Sequence, residues 1–150
     1  MKNTIILLTM LLFSGIGFAQ ESNNGKQLWA KSFLNEKAPE LTVETWISKK
    51  PDTEGKFVII DFWATWCGPC RKAIPELNEI AKEFSKDVVV IGISDEPVEK
   101  IKAMKEPVIE YYYGVDTKKT MDKILEIKGI PHVIIIDPKG IVRWERFPLL

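Results

Sequence analysis

Phe57-Val58-Ile59-Ile60-Asp61-Phe62-Trp63-Ala64-Thr65-Trp66-Cys67-Gly68-Pro69-Cys70-Arg71-Lys72 leads from an apolar, β-branched run directly into a pair of cysteines. Phe57 to Trp63 is interrupted only by Asp61, the pattern of a strand covered on both faces, and such strands belong to parallel sheets. From Pro69 to Phe84, Ile74, Leu77, Ile80, Ala81 and Phe84 recur at helical spacing, with Pro75 inside the pattern as a kink. Strand, turn and helix thus place both cysteines where a strand ends and a helix begins.

Working outward, Leu41, Val43 and Thr45 alternate with polar residues as in a half-buried strand, and Lys49 to Gly55 is turn chemistry. Val88 to Ile93 reads as a second buried strand. Pro97 to Lys105 reads as a helix with Asp95 as its cap, Val108 to Tyr113 as a short strand, and Thr117 to Ile127 as a helix with Met121, Ile124 and Leu125 on one face. A third buried strand, Val133 to Ile136, leads through the type I turn Asp137-Pro138-Lys139-Gly140 to an antiparallel return over Ile141 to Trp144. The sum is one α/β domain, residues 38–150, with a mixed sheet and helices on both faces. No helical pattern follows the last hairpin. Its open face calls for cover from residues 20–37 or a neighbouring molecule, or the sequence stops short of its natural end.

The 150 residues are 45% hydrophobic and 28% charged, with Lys+Arg 21 balanced by Asp+Glu 21. That profile excludes disordered and low-complexity chains, and its lack of a basic field argues against nucleic acid as a partner. Lys2 followed by the apolar run Ile5 to Phe18 and the small residues Gly17 and Ala19 reads as a secretory signal, residues 1–19, cleaved after Ala19. The alternative is an uncleaved segment anchoring the protein at the membrane. Residues 20–37 form a polar lead that ends in the apolar Leu28, Trp29, Phe33 and Leu34. Export implies a periplasmic or other oxidising compartment, where two cysteines close into a disulfide unless something reduces them.

Cysteines three apart in the first turn of a helix can reach disulfide geometry without moving the fold. Cys67, at the helix N-terminus, faces unpaired N–H groups that favour an anion, so its thiol should ionise below the free value of about 8.5 and act as the attacking thiolate. Cys70, one turn in, suits release of a mixed disulfide by attack on Cys67. A zinc site would want four protein ligands, whereas only Cys67, Cys70 and the single histidine, His132, are on offer, so no metal is expected. A purely structural disulfide closing so short a loop would contribute little, which favours redox use.

Residues Asp61 to Lys72 resemble the active-site stretch of the thioredoxin superfamily. Ala64-Thr65-Trp66 before the first cysteine and the long preceding arm look most like its exported TlpA/ResA-like thiol-disulfide oxidoreductases. The likeness runs from about Ala38 to Trp144. It implies a thioredoxin-like fold, here with the final helix missing. Pro75 matches the family's helix-kinking proline, and Gly129-Ile130-Pro131 its cis-proline loop, where the Ile130 backbone would pair with an extended substrate segment. Trp66, Gly68 and Pro69 would complete the substrate-binding surface, with Trp63 in the core. Asp61 matches the family's buried aspartate, whose raised pKa lets it take the Cys70 proton; a hydrogen-bonded polar group at a strand end is the plainer alternative.

The resemblance further implies an enzyme that reduces protein disulfides, apocytochrome c or other envelope proteins, and is itself re-reduced by a membrane dithiol donor. The Cys67–Cys70 pair carries both electrons, so no cofactor is needed. Cys-Gly-Pro-Cys is the motif of thioredoxin, whose potential is about −270 mV. A disulfide oxidase or isomerase, a thiol peroxidase and a non-catalytic interaction domain remain as rivals. Three departures stand out: Ala73 replaces a glutamate common in this branch, Val88 to Ile93 lacks the lysine that partners thioredoxin's aspartate, and no last helix follows. His132 reads as a partly exposed residue entering a strand, or as a neighbour that tunes Cys67.

Overall fold

A computed structural model describes residues 28–146. The signal-like segment 1–19, the first part of the lead and Phe147 to Leu150 lie outside the described residues. The elements among the described residues follow in chain order: β1 (Thr45–Trp46), β2 (Phe57–Phe62), α1 (Gly68–Glu83), β3 (Val88–Ser94), α2 (Val98–Ala103), β4 (Tyr112–Val115), α3 (Thr120–Leu125), β5 (His132–Ile136) and β6 (Val142–Arg146). The strands form one mixed sheet in the order β1-β4-β3-β2-β5-β6. β2 lies parallel to β3 and antiparallel to β5, so the strand that feeds the cysteines is central and its backbone groups are paired on both sides.

Side-chain alternation divides the sheet into two cores. On one face Ile59, Val90 and Val133 pack against Cys70, Ala73, Ile74 and Leu77 of α1, and Ile101 of α2 adds to them. On the other, Val58, Ile60, Phe62, Ile91 and Ile134 meet Met121 and Leu125 of α3, with Phe33, Ala38 and Leu41 laid over them. Asp61 alternates with Ile60 and Phe62 and therefore looks into the α1 face. Pro75 sits inside α1, on its exposed side.

The structure departs from the sequence reading where side chains capture backbone groups. The strand expected over Val108 to Tyr113 is found at Tyr112–Val115, because Asn78 of α1 takes the polar groups of the earlier stretch: its Nδ2 donates to the Val108 carbonyl (2.9 Å) and its Oδ1 accepts from Glu110 N–H (2.8 Å). The helix expected from Thr117 starts at Thr120, since Glu44 holds the Thr117 N–H and hydroxyl (3.1 and 2.6 Å) and Lys119 turns left-handed. Ile124, expected on its buried face, is exposed. Asp95 does not cap α2 but pairs with Lys119 at 2.6 Å. His132, expected to be partly exposed, is 2% exposed. It lies opposite Phe62 in the β2–β5 ladder, on the face away from α1, so it does not point at Cys67.

Phe33 and Ala38 of the lead pack on the face of the closing hairpin away from α1, and the lead backbone pairs along the outer edge of β6. Asn35 N–H donates to the Val142 carbonyl and Ala38 N–H to that of Gly140, while Val142 N–H donates to the Glu36 carbonyl. On the other face Ile135 and Trp144 line an apolar groove with Ile59, Leu77 and Ile80 of the sheet and α1.

Candidate active site

Cys67 is the N-cap of α1, with extended backbone (φ −80°, ψ 102°), and Pro69 stands in the first turn, where a missing N–H costs nothing. The chain arrives there through a tight turn in which Cys67 N–H donates to the Ala64 carbonyl (3.1 Å). Cys67 and Cys70 are joined as a disulfide with Cα atoms 5.2 Å apart. Cys70 N–H donates to the Cys67 sulfur at 3.2 Å, so a backbone donor is already aimed at the atom that would carry charge in the reduced state. Cys70 is fully buried and Cys67 4% exposed, whereas Trp66 beside them is 68% exposed and Gly68 and Pro69 are open. The outer sulfur is therefore largely covered, and the exposed surface beside it belongs to Trp66, Gly68 and Pro69.

The Gly129-Ile130-Pro131 loop shares a cleft with Trp66, and its Ile130-Pro131 peptide bond is cis, with Pro131 buried. A second cis bond, Glu106-Pro107, had no counterpart in the sequence reading. Between Trp66 and Ile130 runs a shallow cleft of ≈ 170 Å³, floored by Phe62 and Ile93 and rimmed by the Asp95–Lys119 pair. Trp29 of the lead packs over Gly129, where an added Cβ would come within 3.0 Å of its ring, so the lead reaches the same loop.

Asp61 is wholly buried, neither carboxylate oxygen has a hydrogen-bond partner among the described residues, and burial pushes its carboxyl up to about 7. Across the ladder on β3, Asp61 faces Gly92, and β3 supplies no lysine to pair with it. Ala73 is buried against the core and supplies no acid. Among the described residues no group of three or more His, Cys, Asp or Glu is placed to hold a metal ion.

Sequence reasoning missed Glu96. Its buried carboxylate accepts from Thr65 N–H (2.6 Å) and the Thr65 hydroxyl (2.9 Å), and Lys100 pairs with it at 2.6 Å. The turn that presents Trp66 and Cys67 is thereby tied to the loop after β3. Burial alone would push Glu96 up, but the bonds from Lys100 and Thr65 outweigh it and hold the carboxyl below its ordinary value. The available signal was Asp95-Glu96 at the carboxyl end of a parallel strand, the edge where α/β sites gather.

A model of the AhpC/TSA family matches residues 34–145. The thiol-disulfide oxidoreductase ResA of Bacillus subtilis is 26% identical over 109 residues, covering 69% of this chain and 61% of that protein. The thiol:disulfide interchange protein DsbE of Pseudomonas aeruginosa is 29% identical over 156 residues, covering 97% and 84%. Among solved structures, the thioredoxin domain of a thiol-disulfide oxidoreductase from Bacteroides vulgatus superposes with a TM-score of 0.65 at 29% identity, over 75% of this chain and 86% of that one. Fold, cysteine pair and relatives agree: the chain belongs to the AhpC/TSA family, as a thioredoxin-like thiol-disulfide oxidoreductase of the ResA kind whose redox chemistry resides in cysteines rather than a bound cofactor.

Proposed function

We propose that this protein is an exported reductant of protein disulfides. The observation that carries the reading is the Cys70 N–H aimed at the Cys67 sulfur at the head of α1, which favours a thiolate at the outer position. Cys67 attacks a target disulfide, forming a mixed disulfide and releasing one target thiol. Cys70, relieved of its proton by Asp61, then attacks Cys67 and frees the second. Trp66 and Ile130 share one cleft and Gly68 and Pro69 are exposed beside Cys67, which supports a surface where these residues, with Pro131, would hold an extended target segment against Cys67. Residues 1–19 act as the export signal, residues 20–37 as a lead and 38–150 as the catalytic domain. Targets are envelope protein disulfides, apocytochrome c among them, and a membrane-bound dithiol donor restores the reduced pair.

Peroxidase chemistry, the rival nearest the family's description, would need a threonine and an arginine around the reactive sulfur. The two at hand are engaged elsewhere: Thr65 is bound to Glu96, and the Arg71 guanidinium donates to the Glu106 carbonyl at 2.7 Å.

Cys70→Ser should accumulate mixed disulfides with envelope proteins through Cys67, and Cys67→Ser should abolish them. Redox titration of the wild-type pair against glutathione should give a potential near that of thioredoxin, about −270 mV. A potential near −120 mV would reverse the direction to oxidation, and no trapped partner would favour a non-catalytic domain.

A further inference from the structure

Three buried polar groups meet beneath α1 with no hydrogen-bond partner among the described residues: the Asp61 carboxylate, Trp63 Nε1 and the Tyr111 hydroxyl. All three residues are at least 95% buried. Their meeting point is set by Gly92, which pairs with Asp61 across the β2–β3 ladder. A Cβ at Gly92 would lie 3.0 Å from Trp63 Nε1 and 3.0 Å from Tyr111 Cε2, so both rings occupy the space a side chain would fill, beside the aspartate. Partners directly opposite in a ladder project to the same face, which here is the face of Cys70. Two donors and a carboxylate, each unpaired and close to one another, offer the set of polar partners that a buried water requires, and orphaned groups of this kind are costly without one.

We propose that Tyr111 is a positioning residue for Asp61: its hydroxyl, with Trp63 Nε1–H, holds the carboxylate through a buried water and keeps it directed at Cys70. This assignment rests on the reading of Asp61 as the base for Cys70. It gives the aspartate neutral donors in place of the lysine that the neighbouring strand lacks, and it fits a glycine at position 92, where a Cβ would crowd both rings. In the resolving step the Cys70 thiol proton passes to Asp61. The Cys70 sulfur forms its bond to Cys67 as the Cys67–target bond breaks, and the leaving target thiolate recovers the proton from Asp61 through the water.

Few other charges bear on this group. β3 offers Gly92, β5 offers Val133 opposite Asp61, α1 the two cysteines, β4 Tyr113, and α2 the apolar Ile101, its Lys100 being held by Glu96. Burial, and Asp61 itself, also push the Tyr111 hydroxyl well up, so it stays a donor across the working pH range.

The test is carbon-13 NMR titration of the Asp61 carboxyl in the oxidised full chain, wild type against Tyr111→Phe, with Tyr113→Phe as control. Loss of a donor to the charged form should raise the Asp61 midpoint by about half to one pH unit in Tyr111→Phe and leave it unmoved in Tyr113→Phe. The pH profile for resolving a mixed disulfide with a cysteine peptide should move upward by the same amount, and in an Asp61→Asn background Tyr111→Phe should shift nothing further. A Tyr111→Phe midpoint equal to wild type, or an equal shift in Tyr113→Phe, overturns the assignment. The carboxyl titration needs no substrate, so it separates a failure of the Tyr111–Asp61 link from a failure of the proposed reductant activity.

Discussion

Asp61 sets an energetic cost on its own placement. Its carboxyl titrates near 7 in the fold and near the ordinary 3.8 when exposed, because burial disfavours the charge. Between these values the native state holds a proton that the unfolded chain has lost. The favourable contribution is complete below pH 4 and disappears as pH rises through 7, a difference of up to about 4 kcal/mol. Urea unfolding of the oxidised wild type should show this decline between pH 4 and pH 8, and Asp61→Asn should largely flatten it. Equal slopes in the two proteins would mean that the carboxyl is solvated. Residue-level reading of the sequence anticipated the burial of Asp61, because one carboxyl in an otherwise apolar strand has nowhere to go but the core. For His132 it failed: a residue after a loop proline looks accessible, and only its place opposite Phe62 in the β2–β5 ladder, inside the sheet, accounts for its burial.

At the scale of elements, the turn between β2 and α1 owes its shape to an element distant in sequence. Glu96 supplies two bonds to Thr65, one of them to a backbone N–H, and replacing it with alanine leaves both Thr65 donors without a partner in a half-buried turn. Loss of such charged hydrogen bonds costs roughly 1–3 kcal/mol. Glu96→Ala should therefore lower the unfolding midpoint and slow exchange at Cys67, with amide exchange quickening at Thr65 and Trp66. Its carboxyl is held below the ordinary value, so the bonds persist above pH 4.5 and fail only as pH falls through that depressed value. An unchanged exchange rate would show that the disulfide alone shapes the turn. Strong periodicity made β2, α1, β3 and β5 legible in the sequence. β4 and α3 were misplaced by several residues because Asn78 and Glu44, remote along the chain, decide where their backbone bonds begin.

Across the whole molecule, the face of the sheet away from α1 is covered in part by chain that precedes β1, through Phe33, Ala38 and Leu41. Glu145 of β6 looks into that face and accepts the Phe33 N–H (2.9 Å) and the Ser32 hydroxyl, while Lys31 N–H donates to the Leu125 carbonyl and Lys128 N–H to that of Trp29. One buried carboxylate thus fastens the lead between the last strand and the loop carrying Ile130 and Pro131. Composition marked Trp29, Phe33 and Leu34 as apolar, but the edge they would follow depended on Glu145, an ordinary acidic residue in the sequence. Glu145→Ala removes both bonds and should cost about 1–3 kcal/mol. Hydrogen exchange should lose protection at Phe33 and Asn35, with the Lys128 amide quickening as the Trp29 carbonyl withdraws, and β2 and α1 should keep theirs. A loss spread evenly over the sheet would instead make the lead part of the cooperative core, with Glu145 one structural bond among many.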